Sequence, residues 1–577
     1  MTRYLKNLNT KNYKIMDKNS ITAIVLTFIL VFVYMQYFGP KPKTNQPINP
    51  SQKSAQQVQS TNSVDCNQQK MSIETAKKSE IKNIEEAPAV NIENLTEAVL
   101  SNKLVTFTFS SFGGDIEKIN IHKSEIVKKG PIVTINAPSN SWQTPLRIRS
   151  LGDYPVNNVV LAPERIGQTD ISFTGTIAKT IFVRKNYELK ADNYLLDAKV
   201  TFKNISSKAI NLSNSFSVWL GRINKVSAKA DRYTKPRSVD ICLLKDGKLD
   251  IERVKVNKKN ESKLLAGPIE WLAVKNKYFA HILIPAVPAK STEIKSSDYK
   301  TDKQISAYAN IDLPSIQPNG EITWSSTLYA GPTDYENLKA LATDVGRGGK
   351  YIEIINLGMF SFLAKPILVY GLKGLYKYIH NYGWAIIIIT IIIKLITWPL
   401  QTKSFTSMQK MQKIQPEMKA LQEKYKDDKA KLQQEMMLLY RKHGVNPLGG
   451  CLPMLLQLPI FFALFAALSR SIELWGASFL WIKDLSLPDN VATLPFSIPF
   501  LGDGVNPLAI VMGAAMIGQQ ALMPSTGDAS QKRMMYLMPV IMMVFFYKAP
   551  SGLVLYWLVN QIITMGQMFY LHYLKKS

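Results

Sequence analysis

Residues 385–400 read AIIIITIIIKLITWPL, an apolar run about one bilayer thick with a lysine, Lys394, well inside it. A centrally placed ammonium costs roughly 2.5–3.5 kcal/mol by insertion scales, so it either escapes to the interface or serves a purpose. Six residues, roughly 9 Å of helix, part Lys394 from the polar boundary after Leu400, within partial reach of a snorkelling stem. Alternatively, Thr390, Lys394 and Thr397 share one helix face. A hydrated groove open to the inside would then keep the ammonium charged. None of the apolar runs that follow contains Asp or Glu, so on this second reading the anion arrives with a client polypeptide.

Working outward, residues 381–400 are joined by apolar runs near 448–470, 506–523, 533–548 and 552–572. Another lies far upstream at 21–38, ITAIVLTFILVFVYMQYF, after Arg3, Lys6, Lys11, Lys14 and Lys18 and without a small-residue cleavage pattern. It reads as an uncleaved signal anchor, with residues 1–20 as an inside tail. The loop 401–446 holds ten Lys/Arg, whereas 474–505 holds only Lys483. This bias puts 401–446 and both termini inside. The expected fold is therefore a polytopic α-helical membrane protein with six transmembrane helices and a large antiparallel β-sandwich outside.

The formal charge of +27 suits anionic lipid head groups or RNA without choosing between them. Cys66, Cys242 and Cys451 lie far apart with no paired spacing, so neither a zinc site nor a disulfide framework is indicated, although a single 66–242 bridge stays possible. Residues 41–88, rich in Lys, Gln, Asn and Ser, read as a disordered linker. From 89 to 335 the texture is that of strands. VTFTFSSFGGDIEKINI and KTIFVRKNYELKADNYLLDAKVTF alternate apolar and polar residues around the turn signals Gly113-Gly114 and Ala191-Asp192-Asn193. His122 and His281 there show no metal spacing, so no catalytic, metal or cofactor site is assigned. Residues 352–380, with Lys365, Lys373 and Lys377 among apolar residues, suit an amphipathic helix lying in the interface or packed on the sandwich.

Polar residues recur along the other spans. Tyr556, Asn560, Thr564 and Gln567 step by four, four and three, Gln457 lies between Pro453 and Pro459, and Gln519-Gln520 marks another run. Such groups line a shared cavity or act as interhelical hydrogen-bond ties. Proton- or sodium-coupled transport is disfavoured, because the spans lack carboxylates. Within 401–446, Met411, Ile414, Met418, Leu421 and Tyr425 step 3, 4, 3, 4. After Lys426-Asp427-Asp428-Lys429 a second arm carries Leu432, Met436 and Leu439. This predicts a basic antiparallel helical hairpin, kinked at Pro416, whose methionines suit contact with many apolar sequences.

SFTSMQKMQKIQPEMKALQ, QEMMLLYRKHGVNPLGGCLPMLLQLPIFFAL and MPVIMMVFFYKAPSGLVLYWLVNQI closely resemble the YidC family of membrane protein insertases. SFGGDIEKINI and TLYAGPTDY look like its periplasmic domain. The resemblance implies a bacterial inner-membrane protein, its sandwich periplasmic and its hairpin cytoplasmic. Such a protein inserts and helps fold helices of nascent membrane proteins, alone or beside the Sec translocon. It further implies that Lys394 is the positive groove residue, in place of the arginine common in relatives, that Thr390 and Gln457 line the groove, and that Phe545, Tyr556 and Trp557 line the client's path. Ribosome and targeting factors would meet the hairpin, since the tail LHYLKKS is short. ATLPFSIPFLGDGVNPL lengthens an outer loop beyond the family pattern. A solute transporter and an envelope scaffold or sugar-binding protein are the alternative functions.

Overall fold

The structure is a computed structural model and describes residues 96–571 except for 125–126, 128–131, 137–144, 152–153, 155–158, 213–215, 222–237, 256–261, 300–301, 347–348, 446–451 and 524–528. The signal anchor expected at 21–38 and the linker at 41–88 lie outside the described residues.

Single strands show why the β domain forms. In Ile181–Leu189, IFVRKNYEL, every second residue is buried, so Ile181, Val183, Lys185, Tyr187 and Leu189 face inward. The strand Leu195–Asn204 buries Leu196, Ala198, Val200 and Phe202 in the same rhythm and pairs antiparallel from Ile181↔Asn204 to Leu189↔Leu196. Period two is what a half-buried sheet demands. Lys185 keeps its inward place because its ammonium meets the buried Asp115 carboxylate at 2.5 Å. Val105–Ser110 likewise pairs with Asp115–Ile121, and the chain reverses between them through Gly113 and Gly114 at φ 73° and 59°, left-handed values that favour glycine. A four-stranded sheet from Glu97–Ser101 to Ile132–Asn136 accompanies a thirteen-stranded sheet from Ile148–Ser150 to Glu321–Pro332. In the latter, Phe279–Pro285, FAHILIP, is buried at every residue between Ser262–Lys275 and Glu321–Pro332.

His281 lies in that enclosed strand, and burial pushes its imidazole down to about 3. It stays neutral in the fold while an unfolded histidine takes up a proton below about 6.5. Stability from this source is therefore full above that pH and is lost as pH falls toward 3. Between pH 7 and 4.5 the loss is expected to be about 2–3 kcal/mol. Denaturant unfolding at the two pH values should show a smaller acid loss for His281→Leu than for the parent; equal losses would refute the assignment.

After the last strand, Asp334 caps α1 (Tyr335–Val345), accepting from the backbone N–H groups of Glu336 and Asn337 at 3.0 and 3.2 Å. A 3-10 turn, Tyr351–Ile355, precedes a helical run made of α2 (Ser361–Pro366), a π-helical segment (Ile367–Lys373) and α3 (Gly374–Ile379). The run starts only at Ser361 because Asn356 and Gly358 turn the chain at positive φ. Ala364, Leu368 and Leu372 are buried, whereas Phe362, Tyr370 and Tyr378 are exposed.

Lys373 turns inward. Its ammonium lies 3.5 Å from Asp334 and 3.3 Å from Glu473, largely enclosed. Burial works to lower its pKa, but the two carboxylates outweigh it and hold the group above the ordinary lysine value. Breaking a buried ion cluster by removing one partner costs about 3–5 kcal/mol. Lys373→Met is expected to destabilise the protein on that scale in thermal or denaturant unfolding. Adding Asp334→Asn and Glu473→Gln should restore most of the loss, since no buried charge is then stranded.

Among the described residues the remaining α-helices are α4 (Tyr382–Lys413), α5 (Gln415–Lys424), α6 (Lys429–Lys442), α7 (Leu452–Arg470), α8 (Pro507–Leu522), α9 (Ala529–Phe546) and α10 (Ser551–Phe569). The Asn381 side chain caps α4 by accepting from Gly383 and Trp384 N–H. The helix then continues well past Leu400 and breaks at Ile414, where Pro416 occupies the first turn of α5 and its missing N–H costs little. Among the described residues, α4 alone is long and apolar enough, by length and composition, to cross a bilayer; Gln457–Arg470, Pro507–Leu522 and Tyr536–Phe546 are shorter apolar helices. The β domain rests on this bundle through Trp475, which stacks on Tyr278 at 5.4 Å and meets Phe279 edge-on at 5.9 Å.

Candidate functional site

Along α4, Thr390, Lys394, Thr397, Gln401 and Ser404 recur at steps of four and three, and all five are buried. Thr390 donates to the Ile386 carbonyl at 2.7 Å and Thr397 to that of Ile393 at 3.0 Å, so their protons satisfy their own helix. The Lys394 ammonium donates to Gln401 Oε1 at 2.8 Å, and Gln401 Nε2 donates to Thr397 Oγ1 at 3.3 Å. Lys394 thus leans two turns toward the C-terminal end of α4 yet is only 3% exposed. Its head is held by a neutral amide inside the bundle.

A second polar contact joins α7 to α10. Gln457 Nε2 donates to the Tyr556 hydroxyl at 2.6 Å. Beside it, Trp557 stands edge-on to Phe461 at 5.1 Å and tilted against Phe546 at 5.3 Å, and Phe545 meets Phe546 at 5.5 Å. Three helices, α7, α9 and α10, therefore meet at an aromatic cluster. Trp557 Nε1 is buried there with no hydrogen-bond partner among the described residues, and an unmade donor costs about 1–3 kcal/mol.

Gln567 serves differently, donating to Thr402 Oγ1 at 3.0 Å and to the Trp398 carbonyl at 3.3 Å, and so ties α10 to α4. Thr564 donates to the Asn560 carbonyl at 2.6 Å. Asn560 itself is half-buried, and the neighbouring Gln561 is the enclosed amide. The structure thus joins Lys394 to Thr397 through Gln401 and pairs Gln457 with Tyr556. Gln401, Ser404, Thr402 and Gln561 were not singled out in the sequence. For Gln401 and Ser404 the signal existed, since they continue the steps begun at Thr390.

Around the break at Ile414, Met411, Met418, Leu421 and Tyr440 pack against the buried trio Ile414, Leu439 and Val445, joining the end of α4 and α5 to α6. The Tyr425 ring has the ammonium groups of Lys424 and Lys431 at 5.4 and 5.5 Å from its centre. Asp428 caps α6 by accepting from Lys431 N–H at 3.0 Å, Asp427 is exposed and Met436 is half-buried.

Comparison with known proteins shows the family of the chain. Residues 374–577 match the 60Kd inner membrane protein family, and residues 98–370 match the YidC periplasmic domain. The chain is 33% identical to the membrane protein insertase YidC of Pelobacter propionicus across 96% of its own length and 99% of the relative's. The chain belongs to the YidC membrane protein insertase family. It is 37% identical to the YidC insertase of Syntrophobacter fumaroxidans across 70% of each chain. A solved active YidC insertase with its first transmembrane domain resolved is 19% identical with a TM-score of 0.33, over 82% of this chain and 92% of that one.

Proposed function

We propose that this chain inserts transmembrane segments of nascent membrane proteins into the inner membrane by sheltering their polar flanks within its helix bundle. The observation that carries this is the buried stripe Thr390, Lys394, Thr397, Gln401 and Ser404, which begins within the apolar part of α4 and runs on into its polar C-terminal part. A buried cation held, among the described residues, by an amide can exchange that amide for a client's polar or anionic group. Crossing hydrocarbon is costly for a flank because each unsatisfied polar group loses its water. A stripe that substitutes for water removes part of that cost, and the client's apolar segment then leaves into lipid at about 25 cal/mol per Å² of surface buried.

In this proposal the bundle, with the signal anchor, makes six crossings with both termini in the cytoplasm and the β domain in the periplasm. The aromatic cluster at Phe461, Phe545, Tyr556 and Trp557 lines the exit, and the Trp557 N–H offers an acceptor-seeking donor to the passing client. Anionic lipids, the Sec translocon, and the ribosome with its targeting factors at α5 and α6 are the partners this arrangement suits. The test is protease protection of a newly synthesised single-span client added to liposomes holding only the purified, correctly oriented protein. Protection well above empty liposomes is the expected result; protection equal to theirs would reject autonomous insertion.

A further inference from the structure

The loop that departs from the family pattern folds into a hairpin of two strands, Ala492–Ile498 and Gly502–Val505. Its tip is apolar and uncovered. Phe500 is 86% exposed and Phe496 61% exposed, and Val491 is exposed at the base. Across residues 491–505, VATLPFSIPFLGDGV, the only charged residue is Asp503. Phe500 also holds φ 67°, a left-handed value that a bulky side chain adopts at a cost and that glycine or asparagine would adopt freely. A large apolar side chain at the most exposed and least tolerant position of a turn calls for an apolar environment there.

The base of the hairpin is fixed. The Tyr547 hydroxyl donates to the Gly504 carbonyl at 2.9 Å, and Asn506 Nδ2 donates to the Tyr547 carbonyl at 2.7 Å, so the strands are clamped to the turn between α9 and α10. The same end of the bundle carries the start of α4, where Trp384 packs edge-on to Phe479 at 5.6 Å. It also carries the start of α10, where Ser551 N–H donates to the Leu487 carbonyl at 2.8 Å, and that of α8, where Leu508 N–H donates to Asp489 at 2.7 Å. Trp384, Leu480 and Trp481 are exposed at this level, next to the β domain that stacks on Trp475. Aromatic side chains at one level of a membrane bundle form the belt that sits among lipid head groups.

We infer that this hairpin is a membrane anchor, its Phe496 and Phe500 tip immersed in the head-group region of the outer leaflet beside the bundle. The occupant is lipid because the tip lies at the end of the bundle that exposes Trp384 and Trp481, and because its own sequence carries only Asp503, with Lys548 beside Gly502 as the one neighbouring cation seen among the described residues. The inference rests on the proposed placement of the bundle across the membrane with its β-domain end outside.

The test uses the full chain with Cys66, Cys242 and Cys451 replaced by serine, reconstituted in phosphatidylethanolamine and phosphatidylglycerol vesicles. Nitroxide labels are placed singly at Phe500→Cys, at Ser497→Cys with both rings intact, at Ile396→Cys on the exposed face of α4, and at Asp246→Cys in a β-domain turn. Accessibility to oxygen and to a water-soluble nickel chelate is read by power saturation. The expected oxygen-to-nickel ratio at Phe500 and Ser497 is about fivefold or more above that at Asp246, for a depth of roughly 5–10 Å. Phe496→Asp with Phe500→Asp should return Ser497 to the aqueous ratio. An aqueous reading at Phe500 and Ser497 with a hydrocarbon reading at Ile396 overturns the anchor alone. An aqueous reading at Ile396 as well overturns the placement of the bundle. Shielding of the tip from both reagents overturns the anchor in favour of a protein partner.

Discussion

Lys394→Glu is expected to lower insertion of a client with an acidic translocated flank by tenfold or more, while a matched client with a neutral flank loses far less. The expectation follows from how Lys394 is held. Its ammonium donates to Gln401 Oε1 at 2.8 Å, with both side chains buried. Releasing that contact costs about 1.5–3 kcal/mol as a hydrogen bond to a charged group. A client carboxylate offers a stronger partner, because even at an effective dielectric of 20 two unit charges 4 Å apart interact by about 4 kcal/mol. Tenfold corresponds to about 1.4 kcal/mol, so a modest net gain on exchange is enough. Glutamate at 394 still finds a partner, since the Gln401 amide can turn its NH2 toward the carboxylate, and the bundle should remain folded. It repels an acidic flank instead of receiving it. Lys394→Arg keeps the charge and should keep most of the activity, though a planar fork meets Gln401 differently from a point charge. Protease protection of the two clients side by side decides the matter, and equal losses for both would remove electrostatics from the mechanism.

Much of this arrangement was legible in local sequence, and the parts that were not share a physical cause. The strand pair Ile181–Leu189 and Leu195–Asn204 follows its alternation residue by residue, because sheet burial is a period-two property of a short segment. The face of Thr390, Lys394 and Thr397 was visible for the same kind of reason. Its continuation to Gln401 and Ser404 was obscured by Pro399 and by the polar composition that follows, which mark the end of an apolar run but not of the helix. Hydropathy detects where lipid stops, whereas backbone hydrogen bonding decides where a helix stops. The ion cluster at Lys373 was not legible in its helix. Its partners Asp334 and Glu473 lie far away along the chain, and no local periodicity reports a contact of that range. The Gln457 to Tyr556 contact was hidden likewise, although each residue alone stood out as polar in an apolar span.

Replacing residues 415–443 by a short Gly/Ser linker is expected to reduce client insertion to the level of empty liposomes while leaving the bundle and β domain folded. The boundary is set by two separate small cores. Phe405 packs with Met568 and Leu571, flanked by Met408 and Met523, so the C-terminal turns of α4 belong to the bundle and must be kept. Ile414, Leu439 and Val445, with Met411, Met418, Leu421 and Tyr440, form the hairpin's own core. Three fully buried residues provide too little apolar burial to hold up the rest of the molecule, at about 1.5–3 kcal/mol for each large side chain. Removing α5 and α6 therefore exposes Met411 and Ile414 at one helix end without opening the bundle. What is lost is a charged surface, seven cations against five acids over 415–443, together with half-buried methionines that can repack around different apolar sequences. If that surface receives the client before the Lys394 stripe does, its removal stops insertion at the first encounter, and no substitution within the stripe should compensate. Unchanged thermal unfolding of the shortened protein together with lost protection supports a receiving role. Unchanged unfolding with full protection would transfer that role to the bundle itself and leave α5 and α6 without a part in insertion.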